Sequence, residues 1–520
     1  MGRLPRRSFP AAGFAAAWLW SGSALAHAFG QRYDLPLPLS LYVAGAGATV
    51  ALSFVVMALL VREGRAGRAP WRLDLAPSLA GRLMTHPWVI AALQALSVAI
   101  FLLVLLAAFF GDANPTRNFA PTFIWVIWWI GLAYLQALVG DIWRVVNPWR
   151  VLYGWAAALR RLCGRPARLV APVAYPAWLG HWPSVLFFWI FAWLELVSDA
   201  AERPASLGVL ILIYSALTWG GMLIFGRETW LARGEAFSVV FGLLARFAPL
   251  AGAGPPAGET GGAEETGAQV PSAGSLHLRP YGVGLLAVRP LGTSAICLVL
   301  LMLASVTYDG IGETPLWAGF LDWVVVSESL RAPLLALQKS GVNLLAFLRS
   351  LGLLVTPLLF FATFALFSRL TAVVAARAGG PGGPGGPGAS TCVAAGAFVL
   401  TFVPIALAYH LAHYLSYLLL AGQFILPLAS DPFGLGWDLF GTANRTLDLG
   451  IVSIKTVWWI AVVAVVVGHV YAVYLAHVMA LRLFGSGRAA LLSQLPLVLL
   501  MVAYTMISLW ILSQPIVATG

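Results

Sequence analysis

Ten apolar runs recur along the chain, near 40–61, 87–110, 121–140, 182–199, 206–226, 290–308, 345–369, 392–421, 453–481 and 490–515. Each is close to the ~20 residues that a helix needs to cross the hydrocarbon core of a bilayer. The polar loops between them alternate in charge. Loop 62–86 carries Arg62, Arg65, Arg68, Arg72 and Arg82, loop 141–181 carries Arg144, Arg150, Arg160, Arg161, Arg165 and Arg168, and loop 227–289 carries Arg227, Arg233, Arg246, Arg279 and Arg289. The intervening loops hold only Arg117, Arg203, Arg331 with Lys339, and Arg445 with Lys455. Basic residues collect in cytoplasmic loops. The pattern therefore predicts an all-α, polytopic transmembrane helix bundle with both mature termini outside.

A shorter apolar stretch precedes the first span. Arg3, Arg6 and Arg7, then Ala11 to Trp20, then Ala24-Leu25-Ala26 read as the three regions of a secretory signal, 1–26. Cleavage would leave His27 as the terminus, where amine and imidazole together can chelate a metal. Two Gly/Pro-rich stretches interrupt the remainder. Residues 251–279 read as a disordered cytoplasmic linker and 379–391 as a flexible one. They divide the helices into 27–250, 280–378 and 392–520.

Composition narrows the class. The 520 residues are 60% hydrophobic and 10% charged, with a mean hydropathy of +0.86, which long membrane spans explain and a soluble domain does not. A net charge of +11 would suggest nucleic acid in a soluble protein; here the arginines sit in short loops, so the expected partner is the lipid bilayer. The 22 tryptophans suit interfacial belts. Cys163, Cys297 and Cys392 have no metal or disulfide spacing. A bacterial inner membrane is the expected location.

Candidate chemistry lies in the last spans. His410 and His413, three apart and so neighbours on a helix, share one apolar run, and His469 and His477 share the next. Ionisable groups inside a span point to function, although neutral imidazoles bonded to backbone or tyrosine would serve as structural glue. By rise per residue, His413 lies roughly 12 Å and His410 roughly 17 Å below the outer end, and His469 roughly 24 Å. His410 and His469 could meet at mid-membrane, while His477 lies near the cytoplasm. His410, His413, His469 and His27 are candidate ligands for copper or zinc, which imidazole without thiolate favours. Asp309 and Glu313 are expected where the sixth span emerges, in a Gly-rich turn, as candidate acid–base residues. GDIWRVVNPWRVLYGW (Gly140 to Trp155) and GRETWLARGEAFSVVFGLLARFAPL (Gly226 to Leu250) read as interfacial or re-entrant helices.

DLPLPLSLYVAGAG, GDIWRVVNPWR, TYDG, YHLAHY, SDPFGLGWDLFGTA and GHVYAVYLAH, in that order, resemble a family of polytopic bacterial membrane proteins known as fenitrothion hydrolases. The similarity runs over nearly the whole mature chain, with the two Gly-rich linkers as local departures. The family name implies hydrolysis of a phosphotriester-like organophosphate; it assigns no residue a role. Three functions stay open: a metal-dependent hydrolase using His410, His413 and His469, with Asp309 or Glu313 orienting water; a gradient-driven metal transporter with the histidines as a ladder, since no GxxxxGK[ST] motif is present; and an assembly partner with structural histidines. The small-molecule or metal substrate and the oligomeric state are not encoded in any motif.

The charge alternation makes a direct prediction. In a background lacking the three cysteines, a membrane-impermeant thiol reagent should label single cysteines placed beside Asp309 or Asp431 and miss the 62–86 loop. The opposite labelling would invert the topology.

Overall fold

The computed structural model describes residues 34–61, 70–166, 172–252, 276–286, 290–379, 390–485 and 487–516. The expected signal segment, His27 and most of both expected linkers lie outside the described residues. Among those described, ten helices are long and apolar enough to span a bilayer: α1 (Leu39–Leu60), α2 (Pro87–Phe110), α3 (Phe119–Leu138), α5 (Ala177–Leu196), α6 (Pro204–Phe225), α9 (Thr293–Gly312), α12 (Leu344–Arg377), α13 (Thr391–Ser430), α14 (Ile454–Phe484) and α15 (Gly487–Pro515). The protein is thus an all-α, multi-pass integral membrane protein. The intervening labels belong to shorter helices: α4 (Pro148–Leu162), α7 (Arg227–Arg233), α8 (Ala236–Ala245), α10 (Pro315–Val326) and α11 (Glu328–Lys339).

Helix starts follow local chemistry. Proline at the first turn of α2, α4, α6 and α10 gives up an N–H that has no helical partner there. Side chains of Asn147, Asn343, Ser390 and Ser453 accept hydrogen bonds from backbone N–H groups in the first turns that follow them. Loop contacts join loops of like charge character. On the Arg-poor side, Asp112 N–H donates to Phe433 O at 2.8 Å and Phe119 N–H to Pro432 O at 3.2 Å. On the Arg-rich side, three short strands pair antiparallel in the order β1 (Leu73–Asp74), β3 (Leu276–Leu278), β2 (Leu250–Gly252). Leu278 pairs with both Leu73 and Leu250, so this sheet ties the first Arg-rich loop to the two flanks of the long linker.

The buried core draws on all three helix segments. Its axis is α9, where Ser294 to Tyr308 is buried except at Cys297. A helix apolar on every face belongs at the centre of a bundle. Against it lies α13, and α13 packs in turn on α14 where Gly468 meets Ala408 and Pro404. A Cβ at Gly468 would stand 2.4 Å from Ala408 Cβ, so only glycine admits this backbone approach.

Three findings differ from or refine the sequence pattern. The sixth span runs to Gly312, which puts Asp309 and Gly310 inside the helix rather than in a turn. The reason is packing: a Cβ at Gly310 would stand 2.5 Å from the Tyr409 hydroxyl, so this glycine serves the approach of α9 to α13. The segment after α6 folds back into the helix bundle. Residues of α8 are buried except Ser238 and Gly242, and Phe237 contacts Trp128 and Phe191 from the middle of two spans, at 4.5 Å and 4.9 Å between ring centroids. By contrast α4 keeps Trp155, Leu159 and Leu162 exposed, an apolar face that the bundle does not cover. On the Arg-poor side, α10 and α11 fill the loop that contained the expected acidic turn, and among α10 residues only Val324 is buried.

The turn between α7 and α8 depends on Glu235. Its carboxylate accepts from Phe237 N at 3.0 Å and Ser238 N at 2.7 Å and receives the Tyr214 hydroxyl. Losing a side-chain cap costs about 0.5–2 kcal/mol; an orphaned buried hydroxyl adds about 1–3 kcal/mol. Glu235→Ala should therefore unfold at a distinctly lower temperature in detergent than Glu235→Gln. Equal unfolding temperatures would show that the hairpin does not depend on this cap.

Candidate functional site

The site is built where α5, α9 and α13 approach the Arg-poor side. Asp309 stands one turn before the end of α9, and α13 presents His413 and Tyr414 to it. The Asp309 Oδ2 atom lies 2.8 Å from His413 Nε2 and accepts from the Tyr414 hydroxyl at 2.6 Å. The His413 side chain is 5% exposed and that of Asp309 is 22% exposed. An ionised carboxylate facing Nε2 favours the tautomer with the proton on that nitrogen. A single oxygen of Asp309 therefore ties α9 to α13 and holds one imidazole in a fixed orientation.

A second carboxyl group joins from α5. Glu195, the penultimate residue of that span, lies against the Tyr414 hydroxyl and the Trp129 indole and within electrostatic range of Asp309. The Trp129 indole N–H makes no well-formed hydrogen bond. Residues Phe123–Gly131, which include Trp129, form a π-helical stretch inside α3. Such wide turns recur at functional sites because they re-aim side chains. Glu195 was missed in the sequence pattern, although a lone acid inside an apolar run was the available signal. Tyr414 carried no signal of its own.

His410 and His413 share a helix but point to different neighbours. The His410 ring sits among Trp129, Tyr134 and Tyr414, at 5.8, 5.3 and 4.8 Å between centroids. Both its nitrogens are buried without a hydrogen-bond partner, while Tyr134 donates instead to the His410 backbone oxygen at 3.2 Å. Tyr414 stands between the two imidazoles, 4.7 Å from His413.

No family model, curated protein or solved structure matches this chain.

The remaining sequence candidates fall outside this group. His469 Nδ1 bonds the Val465 carbonyl of its own helix at 2.8 Å. Its ring lies 6.0 Å from Tyr504, whose hydroxyl bonds Thr307. His477 is held by Gln494 at 3.1 Å and by Val61 O at 3.0 Å, a structural use of both nitrogens. Among the described residues no group of three or more His, Cys, Asp or Glu is placed to hold a metal ion. The set His410, His413 and His469 does not converge, because Asp309, the aromatic ring cluster and the α14 backbone each take one imidazole. Candidate ligand His27 lies outside the described residues.

Glu313 follows α9 directly, near Asp309, His413 and Arg349. Burial, then the charge of Asp309, pushes its carboxyl above the usual range, while His413 and Arg349 pull the other way. A raised carboxyl pKa means that the folded protein favours the protonated form. The stabilisation from this group is therefore complete below the ordinary value of 4.5 and is lost as pH rises through the raised one. Thermal unfolding measured from pH 4.5 upward should fall less steeply for Glu313→Gln than for the parent protein. An unchanged slope would show that Glu313 titrates as it does in the unfolded chain.

Proposed function

We propose that this protein is a membrane-embedded hydrolase that works by acid–base chemistry on a lipophilic phosphotriester-like ester. The observation that carries the proposal is Asp309, which binds His413 and Tyr414 with one oxygen while Glu195 reaches the same tyrosine. Paired acids with an oriented imidazole are the parts that general acid–base hydrolysis requires. The sequence blocks that resemble fenitrothion hydrolases point to the same class of reaction.

The steps balance with these groups alone. Water bonds phosphorus as it loses a proton to His413, whose imidazolium Asp309 stabilises. The phosphorus–oxygen bond to the leaving group breaks, and the departing oxygen takes a proton from the Glu195–Tyr414 pair. Such proton transfers contribute typically 10²–10⁴-fold to a rate. Asp309 acts as a positioning residue for His413. No step uses the copper or zinc considered from sequence, since the donor atoms do not gather around one point.

Gradient-driven transport is the second possibility, favoured by histidines at successive depths. Against it, the lower rungs are occupied: His477 by two structural hydrogen bonds and His469 by its own helix. A group reachable from one side suits a reaction better than a through-path. By the Arg alternation, that side is the exterior of a bacterial inner membrane.

Purified protein in nanodiscs should release a chromogenic phenol from an aryl phosphotriester. Asp309→Asn and His413→Gln should each lower kcat by about 10²-fold or more, and His477→Gln should leave it unchanged if its fold survives. Absence of turnover by the parent protein, or full turnover by both site variants, would overturn the proposal. Proton uptake into proteoliposomes without turnover would favour transport instead.

A further inference from the structure

A second feature of the bundle is independent of this chemistry. A cavity of about 480 Å³ lies between α2, α3, α5 and α6. From Leu93 to Val104 along α2 it extends roughly 16 Å at the helical rise, parallel to the spans. Its walls are almost wholly side-chain carbon. The polar atoms of four lining residues are turned to protein partners: Ser97 to Val146 O, Trp125 to Ala201 O at 3.1 Å, Trp149 to Ser215 at 2.8 Å, and Tyr214 to Glu235. An occupant thus meets little that hydrogen-bonds over this length.

The shape fixes where it opens. At the Arg-poor end α2 and α6 touch: a Cβ at Gly208 would stand 3.0 Å from Ala108 Cβ, and Val104 and Leu207 are buried. Toward the Arg-rich side the cavity lining reaches the surface. There Leu93, Leu96, Ile213 and Leu217 line the cavity and are also exposed. Helix α4 closes the floor through Pro148 and Trp149. The opening therefore faces sideways, into the hydrocarbon of the Arg-rich leaflet, where the solvent is alkyl chain.

We infer that this groove binds one acyl chain of a bilayer lipid, drawn in laterally between α2 and α6. Its inner end abuts Leu194 and Phe191, and Phe191 meets Trp129 edge-on at 4.8 Å. One aromatic layer thus separates the chain from Glu195 and His410. The inference does not rest on the hydrolase chemistry and holds whichever reaction the site performs.

Reconstitution in vesicles of phosphatidylcholine carrying a mid-chain diazirine tests it. Photolysis and peptide mapping should find adducts on the interior residues Trp128, Phe191 or Phe237, besides those on Leu359, an exposed residue of another span. Leu210→Trp and Ile211→Trp, made separately, fill the groove and should abolish the interior adducts while the Leu359 adducts persist. Adducts confined to outward faces in the parent protein would overturn the inference. So would interior adducts that survive undiminished in both filled variants.

Discussion

The contact on which the Arg-poor half of the bundle depends is that of Asp309 with His413 and Tyr414. A carboxylate in a low-dielectric interior is costly unless hydrogen-bonded and paired. Here one acid satisfies two side chains from α13 and draws that helix onto the equally buried α9. The close packing at Gly310 against Tyr409 follows from the same approach. Removing His413 or Tyr414 would cost the partly buried Asp309 carboxylate one of these two partners, so the packing of α9 on α13 rests on the same few atoms.

Around that contact the aromatic residues of α3 divide the membrane interior into two compartments. The π-helical stretch turns Trp125 and Trp128 toward the apolar groove and places Trp129 against Glu195 and His410. On one side of the layer are two carboxyl groups, two imidazoles and a phenol; on the other is a cavity lined by side-chain carbon. The hairpin of α7 and α8 supports this division, because Phe237 packs on two tryptophans of that stretch and Glu235 caps its turn. The acids are thereby kept one aromatic side chain away from the apolar cavity.

The ten spans were legible in the sequence because crossing a bilayer demands a long apolar run, and that demand acts locally on consecutive residues. The alternation of arginines was legible for the same reason. The histidines and Asp309 could be singled out as ionisable groups in apolar surroundings. Their partners could not: Asp309 and His413 stand 104 residues apart in the chain, and nothing in either local pattern specifies which helices meet. His410 and His413 are neighbours by helical period, yet the tertiary packing sends one into an aromatic cluster and the other to a carboxylate. Glu195 had a local signal and gains its significance only from the approach of Tyr414. The folding of α8 back into the bundle, the length of α9 beyond its expected end, and the groove between α2 and α6 arise from contacts between distant segments. Apolar run length and charge placement determined how many times the chain crosses the membrane; helix packing alone decided which buried polar groups share a site.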